Sequence, residues 1–340
     1  MKQINLITFA FIAILLLSSC KTESQKGVER TSISTELISD SIYTRMPGSL
    51  FKIDKYAVWQ DPFGSADGFM HIIDTETKEE VGTMGRKGQG PKEFSTPSIG
   101  KGSDNTLYVF DLNSKKQALL SLDNLMSNKE YYIPLPDATD ERVTYKMQLD
   151  DKSIVSLTPD KAQPFKIQKN DSIVEFGIFP IKEEINNGYN MFQGSIAFNE
   201  NKKILVYSVI YFPYIAIYKR VDEFNFKLQN EHKEEVQYYI SNNKLILSEN
   251  NRSGVATMTL TKNYIVTIQR DYEVDKTDES TVDMDFEKLP TTLFLYNYKG
   301  ELQKIVDVGM PIFRIAGDIE SNDLFAFGVD PEFVLVKCEL

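Results

Sequence analysis

Three glycines, two lysines, an arginine and a proline fall within the eleven residues MGRKGQGPKEF, Met84 to Phe94, a composition suited to holding a phosphate. Gly85 and Gly90 stand five apart, as in a G-x-x-x-x-G-K-[ST] loop, whose backbone amides and lysine cradle the anion. Here Pro91 takes the place of that lysine, and proline has no amide to donate. The following STPSIG, Ser95 to Gly100, carries two signals against a helix, so an anion would meet no helix N-terminus. The segment therefore reads as a structural turn.

Other chemistry is sparse. The chain has two histidines, His71 and His232, and neither belongs to a zinc-spaced cluster or a G-x-S-x-G elbow. His71 alternates within FMHIID and reads as a strand side chain, whereas His232, in EHKEE, reads as part of a solvated charged turn. The acidic stretch from Asp271 to Lys288 holds eight carboxylates, yet it lacks the glycine of a calcium-binding EF-hand loop. It reads as a solvated loop. No catalytic residue and no metal ligand is singled out, and no motif announces a cofactor.

The first twenty residues, MKQINLITFAFIAILLLSSC, pair one basic residue, Lys2, with an apolar run from Ile4 to Leu17. That is the layout of an export signal peptide over residues 1–19. A helix of that apolar run rises about 21 Å, short of the roughly 30 Å needed to cross a bilayer core. Leu17-Ser18-Ser19-Cys20 resembles the lipobox of bacterial lipoproteins, in which the cysteine is lipidated and becomes the mature N-terminus. Cys20 is thus the expected lipidation site, and residues 20–32 are polar and aperiodic, as befits a flexible tether. Lys21 after the cysteine, by resemblance to the sorting rule of diderm bacteria, implies an outer-membrane lipoprotein, facing the periplasm or the cell surface. The implied first partner is the membrane, through the lipid.

Losing Lys2 with the leader takes the formal net charge from -11 to -12. An acidic body without a basic stripe repels phosphate backbones, which argues against nucleic acid as a partner. Cys338 is then the second of only two cysteines, so no disulfide staples the exported domain, and its stability must come from a core.

One pattern recurs six times in the mature chain: a β-rich run, a short polar turn, and a second β-rich run. Taking Lys55, Asn105, Asp151, Asn201, Asn263 and Asn322 as turn markers, the spacings are 50, 46, 50, 62 and 59 residues. Repeats near this length, each of four strands, mark a β-propeller. Second strand pairs follow several hairpins, for instance Phe69 to Gly85 and Thr292 to Gly309. The sixth copy runs out after Phe333 to Leu340, so Ile33 to Ile42 is expected to supply its missing outer strand. The expectation is an all-β, six-bladed propeller of four-stranded antiparallel blades over residues 33–340, its ring closed by an N-terminal strand. Gln237 to Asn251 reads as a hairpin inserted between blades four and five.

With the repeat in view, Gly85 to about Asp123 resembles an NHL-type propeller repeat: Gly85, Gly88, Gly90, Phe94 and Pro97, then a hairpin turning at Asp104-Asn105 and ending at Asp111, with Pro91 a further residue of the structural turn. The resemblance implies that the glycines carry one blade into the next, that Phe94 wedges between blades, and that Asp111 caps the following turn. The wording of this motif in a lipoprotein also resembles the TolB-like six-bladed propeller lipoproteins, which implies a fold more than an activity. Propeller hydrolases hold calcium on the ring axis, so an axial calcium ion is compatible with the resemblance.

For function, binding has more support than catalysis, and whether the chain is an enzyme stays open. Tyr211, Phe212 and Tyr214 surround Pro213 in a loop between strands, where exposed rings would stack on a glycan or anchor a protein. Arg86, Arg252 and Arg314 lie near blade junctions and are the candidate anion contacts. The expectation is a noncatalytic envelope protein that binds a protein or glycan, with a metal-dependent hydrolase or lyase on the propeller axis as the alternative.

Overall fold

The structure is a computed structural model and describes residues 27–64, 68–137, 142–274 and 285–340. The leader at residues 1–19 and Cys20 lie outside the described residues, as does the 275–284 part of the acidic stretch.

Two N-terminal strands, β1 (Glu29–Ser32) and β2 (Thr35–Ser39), precede the first full blade. Blade one comprises β3 (Leu50–Ile53), β4 (Tyr56–Gln60), β5 (Met70–Asp74) and β6 (Glu80–Met84). Blade two comprises β7 (Ser98–Lys101), β8 (Thr106–Asp111), β9 (Lys116–Ser121) and β10 (Tyr132–Leu135), with a short helix α1 (Leu122–Met126) between its last two strands. Blade three is β11 (Tyr145–Gln148), β12 (Ile154–Leu157), β13 (Phe165–Lys169) and β14 (Ser172–Phe176), and a helical turn α2 (Gly188–Met191) follows it. Blade four is β15 (Gly194–Asn199), β16 (Ile204–Val209), β17 (Tyr214–Arg220) and β18 (Phe226–Lys233). A separate hairpin, β19 (Tyr238–Ser241) and β20 (Lys244–Leu247), then leads to blade five: β21 (Val255–Leu260), β22 (Ile265–Gln269), β23 (Thr292–Tyr296) and β24 (Leu302–Asp307). Blade six is β25 (Ile312–Gly317), β26 (Asp323–Asp330) and β27 (Glu332–Glu339), completed by β2.

All six expected hairpins are the first strand pair of a blade, and their turns contain the six expected polar markers. The ring closes as the incomplete sixth copy demands: β2 runs antiparallel to β27, with Thr35 opposite Cys338 and Leu37 opposite Val336. Pairing the edge of β27 in this way removes an open strand at the seam. The polar segment read as a tether enters the fold sooner than expected. Glu29–Ser32 adds to blade five as a fifth strand, parallel to β24.

Packing explains why the second strand of a blade carries few polar residues. It is covered on both faces by neighbouring blades, so both faces of its two-residue period are apolar; every residue of β8 and of β16 is buried. Between blades one and two the filling is Phe69, Met70, Phe94, Leu107 and Val109, and between three and four it is Phe165, Tyr207 and Tyr218. The innermost strands approach so closely that a Cβ on Gly100 would stand 1.7 Å from the Lys146 carbonyl oxygen.

Antiparallel order gives the ring two unlike faces. The first strand of each blade runs toward one face, where the first-to-second and third-to-fourth turns lie; this is the turn face. The opposite, loop face carries the second-to-third connections and the crossings between blades.

Candidate functional site

The glycine-rich segment is on the loop face, and its polar groups are spent within the protein. Gly85 holds a φ of +80°, and a Cβ there would lie 2.5 Å from the Phe69 ring, so the crossing from blade one to blade two requires glycine. The Gly90 amide donates to Glu93 Oε2 at 2.8 Å, and Lys116 Nζ reaches the carbonyls of Gly90 and Glu93. Lys87 Nζ donates to the Pro62 carbonyl at 2.7 Å. Phe94 is fully buried, edge-on to Phe69 at 6.2 Å. The buried Asp111 carboxylate accepts from the amides of Ser95, Thr96, Asn113 and Ser114. Burial alone would raise its pKa, but these donors outweigh that and hold it well below the usual carboxylate range. Pro91, exposed in the same turn, adds no amide.

The axis is a narrow channel reached by all six innermost strands, its lining including Leu50, Met147, Ile196, Met258 and Ile315. Its mouth on the turn face opens into a depression of about 440 Å³ bordered by Lys52, Lys101, Asp104, Glu200, Asp318 and Glu320. Lys52, Lys101, Tyr145 and Thr259 line the channel as well. Among the described residues no three His, Cys, Asp or Glu side chains converge to hold a metal ion.

On the turn face, several side chains are tied to one another across blade boundaries. Lys152 pairs with Asp104, Lys203 with Asp150, Arg220 Nη2 with Asp151 at 2.8 Å, and Asn201 Nδ2 with Glu320 Oε1 at 2.7 Å. The loop face differs. Tyr43, Phe63, Leu112, Ile178, Ile210, Tyr211, Tyr239, Ile240 and Val274 are all exposed on it, against Val221 alone in a turn of the opposite face among the described residues. The remaining exposed large apolar side chains lie on the strands β2, β6, β10 and β14.

Within the loop face, one cluster joins blades four and five. The Gly254 amide donates to the Ile210 carbonyl at 2.9 Å. A Cβ at Gly254 would fall 2.2 Å from the Val209 carbonyl oxygen and 2.3 Å from that of Phe212, so the two loops pass in backbone contact. Ser253 then donates its amide to the Tyr272 hydroxyl at 2.6 Å. Both flanking arginines lie against that ring, Arg252 at 5.1 Å and Arg270 at 5.0 Å from its centre. Tyr211, in the loop that Gly254 contacts, is 44% exposed.

The expected binding residues thus separate. Tyr211 and Arg252 lie on two loops that meet in backbone contact, and both are accessible. Phe212 and Tyr214 are not surface rings: both are about 1% exposed, Phe212 being packed against Phe192, and Tyr214, which opens the interior strand β17, against Tyr207. Burial drives the Tyr214 hydroxyl pKa far up, and that hydroxyl donates to Glu231 at 3.3 Å. Arg314 is no surface contact either. Its guanidinium stacks on Phe313 at 3.8 Å and donates to the Gly48 and Phe313 carbonyls, and desolvation lowers its pKa to about 10. Arg86 is exposed but lies at the junction of blades one and two, away from the cluster. His232 ends a strand against Tyr296, 5.0 Å between ring centres, rather than lying in a turn. His71 is the expected strand side chain, stacked on Trp59 at 4.4 Å.

Arg270 and Tyr272 escape sequence reasoning because they adjoin the acidic stretch, whose charge masks them. The signal is the pair R-S-G and R-D-Y, each placed just outside a strand of blade five. Asp271 differs from the solvated carboxylate expected there. It is fully buried and binds Arg30 Nη1 at 2.6 Å, which pins β1 to blade five.

No family model matches the chain, and no curated protein matches it. Its likeness is to solved folds. A Bacteroides fragilis protein described as exported superposes with a TM-score of 0.57 at 12% identity, covering 91% of this chain and 98% of that one. A member of the DUF4221 family from Bacteroides vulgatus gives a TM-score of 0.56 at 12% identity, over 92% and 97% of the two chains. A calcium-binding regucalcin from Agrobacterium tumefaciens gives 0.52 at 7% identity, over 91% and 95%. At these identities the likeness shows the six-bladed propeller fold. Among the described residues no helix is long and apolar enough to cross a membrane.

Proposed function

We propose that the chain is a cell-envelope lipoprotein of the TolB-like propeller kind, anchored through Cys20, that binds an envelope protein or glycan through its loop face without catalysis of its own. The observation that carries this reading is the asymmetry of the two faces. Exposed aromatic and aliphatic side chains gather on the loop face, while on the turn face ion pairs tie blades two, three and four together. Exposed tyrosine beside arginine is the composition of binding hot spots.

The direction of β1 supports the same reading. It runs parallel to β24, which starts at the turn face, so the chain enters the fold there at Gly27 and Val28. Seven residues, 21–27, separate a lipid on Cys20 from that point, about 25 Å at full extension. An anchored molecule would be tethered from its turn face, leaving the loop face open to a partner in the adjoining aqueous space. The sorting rule invoked by Lys21 favours the outer membrane.

The test is recovery of partners from the native envelope in mild detergent, using the wild type, Tyr211→Ala with Tyr239→Ala, and a turn-face control, Lys55→Ala. A stoichiometric partner lost only with the tyrosine pair is the expected result. Turnover of a lactone, glycoside or peptide by the purified protein would contradict it. So would a calcium-dependent rise in melting temperature that tracked such turnover.

A further inference from the structure

We infer that the Arg252–Tyr272–Arg270 cluster is a recognition site for a carboxylate-rich polypeptide segment of the partner, an inference that rests on the loop-face reading above and names the chemistry it takes. Both guanidinium groups lie about 5 Å from one tyrosine ring and hence within about 10 Å of each other. The carboxylates beside Arg270 in the chain are committed elsewhere, Asp271 to Arg30 at 2.6 Å and Glu273 to Arg30 at 3.0 Å. Among the described residues Arg270 has no carboxylate partner. Arg252 has one, Glu234, at a loose 3.3 Å with 40% of the arginine side chain in solvent. Two planar cations are therefore held in place by a ring and a hydrogen-bonded loop, with donors left over.

Arginine forks fit carboxylates in pairs, and a stacked guanidinium loses less freedom on binding than a free one. The cluster favours an acidic peptide over a sugar because the ring that would stack on a pyranose is already covered by guanidinium groups. Ile210 and Tyr211, exposed alongside, offer apolar contacts of the kind that a peptide's side chains would fill. The protein as a whole carries a formal charge of -11, so its general field repels an acidic ligand, and any binding must come from a local site.

The experiment measures binding of labelled poly-L-glutamate to the full-length lipidated chain in a neutral detergent, with polygalacturonate and dextran as comparison probes. Poly-glutamate is expected to bind in a salt-sensitive manner. Arg252→Ala with Arg270→Ala should weaken it tenfold or more, and Arg252→Lys with Arg270→Lys should weaken it partly, since lysine keeps the charge and loses the fork. Arg86→Ala, which removes one positive charge across the ring, should leave it unchanged. The inference is overturned if poly-glutamate does not bind, if Arg86→Ala weakens it as much, or if polygalacturonate binds more tightly. The lysine pair guards against loss through misfolding: poly-glutamate binding to it at full wild-type strength would also overturn the fork. If the tyrosine pair abolishes envelope capture while poly-glutamate fails to bind, the loop-face reading stands and this inference falls.

Discussion

At the scale of the residue, the glycine-rich turn shows how a phosphate-like composition is used for packing. Gly85 needs both its positive φ and its missing side chain, and Gly85→Ala is expected to cost roughly 2–4 kcal/mol in urea unfolding through strain and overlap with Phe69. The role of this turn was legible in the sequence because Pro91 excludes a phosphate loop and Phe94 and Asp111 keep their repeat spacing. The buried Asp111 makes a second prediction. Its carboxyl pKa is depressed in the folded state, so its contribution is complete above the unfolded value of about 4 and is lost as the pH falls through the lower folded value. Asp111→Asn should be less stable than the wild type by about 2–3 kcal/mol, since an amide meets donors with its own donor. That gap should be constant from pH 7 to 5 and narrow below about pH 4, as read by chemical denaturation at each pH. The surface rings were less legible: Tyr211, Phe212 and Tyr214 are adjacent in sequence, yet only Tyr211 clears the blade edge, because Tyr214 already opens β17 and Phe212 turns inward onto Phe192.

At the scale of the element, six hairpins were readable because each pairs locally across a short polar turn, and local pairing leaves its period in the sequence. The β1 strand was not. Its partner β24 lies some 270 residues away and runs parallel, and its four residues, E-R-T-S, are too polar to announce a strand. What fixes it is the Arg30 pair with a buried Asp271. Breaking a buried pair costs about 3–5 kcal/mol. Arg30 keeps 32% of its side chain in water, so Arg30→Ala is expected to cost nearer to about 2–3 kcal/mol. Hydrogen exchange should show the loss concentrated at β1 and β24, and a uniform loss over all six blades would argue against a local latch. Cutting the chain after Ser39 removes the outer strand of blade six as well, and should lower the melting temperature by more than Arg30→Ala does.

At the scale of the molecule, the architecture was legible from the repeat and the asymmetry of its faces was not, since that depends on which loop ends on which side. Once the ring closes, every first-strand turn falls on one face, and with them the paired charges of blades two, three and four. The exposed rings fall on the other. The most direct test of the binding account is a hydrogen-exchange footprint of the full-length chain with its captured envelope partner. Slowed exchange is expected at residues 210–213, 238–247, 252–254 and 270–274, with none at the turns around Asp54, Asp104 and Asp151. Protection confined to those turns, or to the channel mouth beside Lys52 and Lys101, would contradict the account and move the site to the opposite face.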